Sequence, residues 1–207
     1  MPLLKTWAFA LAVAILASVP ARAADPAADR IQSFYGSLLD TMKRGPQLGM
    51  QGRYHALEPA VDATFDIPAM IQFIVGPSWS GMKDGDKNNL IAAFRRMTIA
   101  NYAANFAQFD GEQFNVDPQV QQRGPDRLVQ TTLVPRGEKP VPLVYRMRES
   151  SGGWKIIDVF LNGYVSELAM RRSDFAATLA SGGAPALVAK MNQISDGLLS
   201  GATKSSM

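Results

Sequence analysis

One histidine, His55, sets the limit on acid–base chemistry in this chain of 207 residues, which contains no cysteine. A Ser–His mechanism has a single possible base, and a Cys–His mechanism has no nucleophile. The nearest imitation of a serine elbow is Gly76-Pro77-Ser78-Trp79-Ser80. It falls one glycine short of G-x-S-x-G, and Ser78 does not follow a strand as that motif requires. His55 lies in Arg53-Tyr54-His55-Ala56-Leu57-Glu58, a context that predicts a surface or packed histidine and no catalytic one. Asp84, Asp86 and Asn88 open like a calcium loop. However, Asn89 stands where the loop needs glycine and Arg95 where it needs a bidentate glutamate, so the three are expected to cap the following helix. Gly152-Gly153 and Gly182-Gly183 read as turns without phosphate-cradling spacing. The sequence therefore assigns no catalytic residue, no metal ligand and no cofactor.

A second kind of chemistry is the pairing of buried charge. From Tyr164 to Leu179, Val165, Leu168, Arg172, Phe175 and Leu179 recur at steps of three and four and form one helical stripe. Arg172 interrupts that apolar stripe, and an unpaired buried guanidinium is costly. The only acid in the preceding strand is Asp158, so the expectation is that Asp158 and Arg172 meet and pin helix to sheet. The alternative is that Arg172 lays its stem along the apolar surface and carries its head to water.

The strand that would supply Asp158 runs from Gly153 to Gly163, between a Gly-Gly turn and Asn162-Gly163. Simple alternation points Trp154, Ile156, Asp158, Phe160 and Asn162 one way, and Lys155, Ile157, Val159 and Leu161 the other. Both faces are largely apolar, which marks a strand covered on both sides. Upstream, Ile31, Phe34, Leu38 and Met42 give a helical stripe after Asp25-Pro26, and Gly45-Pro46 ends it. A further helix is expected over 49–65, disturbed at Pro59, and another begins at Asp66-Ile67-Pro68 and stops at Gly76-Pro77. The longest runs from about Asp84 to Gln108, with Ile91, Phe94, Thr98, Tyr102, Phe106 and Phe109 along one side. After Asp110-Gly111 the period becomes alternating over 114–116, 127–134 and 141–148, with Pro118, Gly124-Pro125 and Pro135-Arg136-Gly137 as turns. Ala184 to Leu199 closes the chain as an amphipathic helix. Helices, then four strands, then helices is an α+β order. The expected architecture is a curved, mainly antiparallel four-stranded sheet with N-terminal and C-terminal helices enclosing an apolar cavity.

Lys5, the apolar run from Ala8 to Val19 and Ala21-Arg22-Ala23 read as a secretory signal peptide over 1–23, too short to span a membrane. One domain is expected over 24–200, with a disordered tail over 201–207. Lys5 and Arg22 belong to the leader, so 21 basic residues fall to 19 against 18 acidic ones, which is no nucleic-acid footprint. Without cysteines an exported chain must be held by its hydrophobic core alone. Apolar residues make up 47% and charged residues 19%, which permits either a large core or an internal apolar space.

Trp154-Lys155-Ile156-Ile157-Asp158-Val159, Gly163 and Arg172-Ser173-Asp174-Phe175 together resemble the C-terminal signature of the MlaC, or toluene-tolerance, family of periplasmic lipid carriers. The run Ser166 to Phe175 is most similar to the hopanoid-associated branch, HpnM, and Gly76-Pro77-Ser78-Trp79 is a weaker second anchor. The resemblance implies a periplasmic protein that carries a lipid between inner and outer membranes. Its cargo would be a hopanoid handled beside an RND-type transporter, or a phospholipid handled with an ABC-type one, with transient membrane contact. It also implies a lipid site between sheet and helices. On the helical side this takes Trp79, Phe94, Met97, Tyr102, Phe106, Leu168 and Phe175. On the strands it takes Leu133, Leu143, Tyr145, Ile157, Val159 and Leu161. Without the resemblance the same stripes read more readily as packed core than as a cavity wall. Two other classes stay open on the residues alone: an enzyme with His55 as base, and a ligand-free interaction module with a filled core. The helix from Tyr164, bounded by Gly163 and Gly182-Gly183, is the candidate gate.

Overall fold

Asp25 caps the first helix by accepting a hydrogen bond from the Ala27 N–H at 2.9 Å, and Pro26 occupies the first helical position. The computed structural model describes residues 25–202. The signal-peptide reading over 1–23 and most of the tail lie outside that range. Helix α1 (Pro26–Lys43) buries Ile31, Phe34, Tyr35, Leu38 and Met42, the face its 3.6-residue spacing requires. Helix α2 (Gly45–Thr64) contains Pro59, but its backbone departs from helical geometry at Gly49 instead. Asp66 starts α3 (Ile67–Val75) as anticipated, accepting from the Ala69 N–H at 3.1 Å. A 3₁₀ turn over Gly76–Gly81 leads to α4 (Asp84–Asn105).

The acidic residues before α4 do not cap it. Lys83 occupies the cap position without a side-chain bond, while Asp84 and Asp86 fall in the first helical turn. There they still complement the positive end of the helix dipole.

The sheet has six strands, two more than expected: β1 (Gln113–Val116), β2 (Gln121–Arg123), β3 (Asp126–Val134), β4 (Val141–Ser150), β5 (Gly153–Leu161) and β6 (Val165–Ser166). All its ladders are antiparallel. The order is β1-β3-β4-β5-β6, with β2 also paired to β3 beside its Asp126–Leu128 end. Both additional strands are invisible to hydrophobic alternation: β2 is an exposed Gln-Gln-Arg tripeptide and β6 has two residues. Backbone pairing alone defines them.

A register shift opposite Arg146 and Met147 corrects the facing of β5. Arg146 pairs with Asp158 and Met147 with Ile156, so Ile157 is the extra residue of a β-bulge. Simple alternation fails there. Ile156 opposite Met147 and Val159 opposite Tyr145 share one face, while Asp158, although equally buried, falls on the other opposite Arg146.

Helix α5 (Glu167–Leu199) is continuous except at Gly183, where φ is +62° and Pro185 follows. The two C-terminal helices anticipated from sequence are the segments that meet at this kink. Helices and sheet are tied at a corner as well, where Phe65 bridges Ile156 and the Asp66 N–H bonds to the Ile156 carbonyl at 2.9 Å.

Candidate lipid-binding crevice

Helix α4 turns one side toward the sheet through Phe94, Met97, Thr98, Asn101, Tyr102 and Asn105. The spacing of three and four places them on one face. Opposite them, Leu143 pairs with Leu161 and Tyr145 with Val159 on adjacent strands. The first turn of α5 closes the side with Glu167, Leu168 and Arg171, while Phe65, Met70 and Phe106 complete the wall. Between these groups lies a crevice.

Its floor is apolar and buried: Phe65, Met70, Phe94, Met97, Phe106, Val159 and Leu168 are each at most 8% exposed. The aromatic rings there are mutually packed. Tyr102 stacks on Phe106 at 5.8 Å and meets Phe34 edge-on at 5.2 Å. The rim is partly exposed, with Thr98, Asn101, Asn105, Glu167 and Arg171 alongside Leu143 and Leu161. Free space between the lining atoms is about 740 Å³ counting the open mouth, yet only about 80 Å³ of it is wide enough for the centre of a water molecule. The site is therefore narrow, with walls that must part to admit a ligand of any girth.

Beneath the floor runs a buried polar chain. The Tyr35 hydroxyl lies 2.7 Å from the Thr131 hydroxyl and donates to the Tyr145 hydroxyl at 3.0 Å. Burial pushes the Tyr35 phenol up to about 12 and also raises those of Tyr102 and Tyr145. All three stay neutral at physiological pH, so the floor carries no charge. At the rim, burial raises the Glu167 carboxyl and Arg171, at 3.8 Å, opposes that only in part.

Nine of the thirteen residues assigned from sequence line the crevice: Phe94, Met97, Tyr102, Phe106, Leu143, Tyr145, Val159, Leu161 and Leu168. Four do not. The bulge removes Ile157 from the interior succession of β5. Leu133 is partly buried one strand beyond Leu143, paired with Phe114 and Val141. Phe175 is buried on α5 in the main core, and Trp79 packs against that core from the 3₁₀ turn. The sequence reading missed Phe65, Met70 and the five polar rim residues. The i, i+4 spacing of Asn101 and Asn105 beside Tyr102 was the available signal for part of the rim.

The expected Asp158–Arg172 pair does not form. Asp158 accepts from the Ser166 hydroxyl at 2.7 Å, from its neighbour's N–H at Val159 and from the Leu168 N–H at 3.3 Å. It does hold α5 to the sheet, but through one orphan amide of the helix, that of Leu168, and the Ser166 hydroxyl, where a carboxylate also suits the dipole. Ser166 completes this cap by accepting from the Ala169 N–H at 3.0 Å. Arg172 instead reaches the surface, donates to the Phe73 carbonyl at 3.4 Å and lies over the Phe73 ring at 5.6 Å. This is the solvent-seeking alternative, strengthened by a cation–π contact.

His55 is exposed on α2, 3.0 Å from Glu58, and is not among the crevice residues. Among the described residues no group of histidine, cysteine or carboxylate side chains is placed to hold a metal. No described helix is long and apolar enough to cross a membrane.

The sequence model of the MlaC protein family matches residues 32–193, from the middle of α1 almost to the end of α5. The chain belongs to the MlaC family. Among solved structures, this MlaC-family chain is similar to a phospholipid-binding protein from Ralstonia solanacearum determined in complex with a phospholipid. The two superpose with a TM-score of 0.73 at 22% identity, over 84% of this chain and 99% of the other. That likeness establishes a shared fold. No curated protein sequence matches the chain.

Proposed function

We propose that this MlaC-family chain is a periplasmic lipid carrier, which takes the apolar part of a membrane lipid into the crevice and performs no covalent chemistry. The observation that carries this reading is the pairing of a buried, uncharged, largely aromatic floor with a polar rim on one continuous surface. A sixteen-carbon chain left in water costs on the order of 12 kcal/mol, at about 0.8 kcal/mol per methylene. Covering it removes most of the barrier to crossing an aqueous compartment. Affinity then follows apolar area and selectivity follows the shape of the crevice.

The cargo is a phospholipid or a hopanoid. The segment Ser166–Phe175 supports a hopanoid, which the family resemblance pairs with an RND-type partner, while the phospholipid held by the Ralstonia solanacearum protein of the same fold supports a phospholipid, which the resemblance pairs with an ABC-type one. Admission requires α5 to lift from α4, since the resting space is thin. Gly183 offers the point at which the first half of α5 can move separately.

The test is to purify the exported protein, extract it with organic solvent and identify the released lipid by mass spectrometry. A stoichiometric lipid is expected, and its class decides between the two cargoes. Failure to take up any lipid, natively or from vesicles, would leave a filled-core interaction module as the better reading.

A further inference from the structure

The carboxamide nitrogen of Asn105, in the last turn of α4, is buried and has no hydrogen-bond partner among the described residues. Native folds seldom keep such a donor without a use for it. The local acceptors are already engaged: the Ala103 carbonyl receives Arg53 Nε at 2.9 Å, and the Tyr102 carbonyl receives the Phe106 N–H at 3.0 Å. The other rim groups have internal partners. Thr98 donates to the Phe94 carbonyl at 2.9 Å, and Glu167 faces Arg171. Asn105 thus stands at the border of the apolar floor and the wet rim with an N–H left over.

We propose that Asn105 Nδ2 donates to an uncharged oxygen of the bound lipid, at the level where its apolar part joins its polar head. A neutral carboxamide supplies a hydrogen bond without charge, which suits an ester carbonyl or a hydroxyl better than a phosphate. This rests on the carrier reading of the crevice. The bond sets how deep the ligand enters, because an apolar groove alone lets a chain slide.

Asn105→Leu keeps the side-chain volume and removes the donor. In the lipid-free protein, the substitution is expected to raise the melting temperature by roughly 3 °C, since it deletes an unpaired buried polar group. Affinity for a diester phosphatidylglycerol, measured by displacement of a fluorescent acyl probe, is expected to fall about tenfold. A diether phosphatidylglycerol and a long-chain alcohol identify the oxygen. A loss for the diester but not the diether assigns the ester carbonyl, and a loss extending to the alcohol assigns a hydroxyl. Asn105→Ala provides the same comparison should leucine distort the crevice. Unchanged affinity of both variants for all three lipids overturns the inference while leaving the carrier intact. A wild-type protein that binds none of these lipids and releases no lipid on solvent extraction overturns both.

Discussion

Glu167 sits at the rim with most of its carboxyl withdrawn from water, and burial raises its pKa despite Arg171 at 3.8 Å. An acid whose folded pKa lies above its unfolded one binds more protons when folded. Stability therefore declines as pH rises from the unfolded value through the folded value, then levels off. Glu167→Gln is expected to raise the melting temperature at pH 7 by a degree or two and to leave it unchanged at pH 3, where both forms are neutral. Thermal melts of the two proteins across that range check the sign, and a destabilised variant at pH 7 would show that the Arg171 contact dominates. Residue types were legible in the sequence where they follow a stripe, as with Phe94, Met97 and Leu168. Polar partners were not. The choice of Asp158 for backbone amides over Arg172 depends on where the start of α5 meets β5, a tertiary fact that spacing does not encode.

At the scale of elements, α5 combines a fixed start with a break in its middle. Its first turn is held by Ser166 and by Asp158, whereas Gly183 interrupts it with φ at +62°. Only glycine adopts that conformation without strain, so Gly183→Ala is expected to destabilise the fold by about 1–3 kcal/mol. Urea unfolding measures this, and a loss below about 0.5 kcal/mol would mean that the break tolerates an ordinary residue. Hydrogen exchange across Glu167–Ser181 should also slow when lipid binds, if this half of the helix is what moves. Helices α1 and α3 were readable because each combines a side-chain cap with a 3.6-residue stripe, at Asp25-Pro26 and Asp66-Ile67-Pro68. The short strands were not, because β2 and β6 bury no alternating face.

For the molecule as a whole, the resting space is narrow, so binding must couple to the lifting of α5 from α4. Leu161, partly exposed at the rim opposite Leu143, offers a place to obstruct entry without disturbing the core. Leu161→Trp is expected to shift the melting temperature by less than about 3 °C and to lower lipid uptake at least tenfold, as read by vesicle-transfer assays. Normal uptake by that variant would place the entrance elsewhere. The α+β order could be read from the change of periodicity near Asp110-Gly111, because helical and alternating patterns are separated along the chain. The width of the interior space could not, since close packing and a closed crevice use the same residue types.

The bulge at Ile157 has a consequence for how β5 tolerates mutation. A charge scan along the strand should skip a beat: aspartate is rejected at 154 and 156, accepted at 155 and 157, then rejected at 159 and 161. Deleting Ile157 would leave Trp154, Ile156, Val159 and Leu161 on one face in uninterrupted alternation, so the strand should keep its facing without that residue.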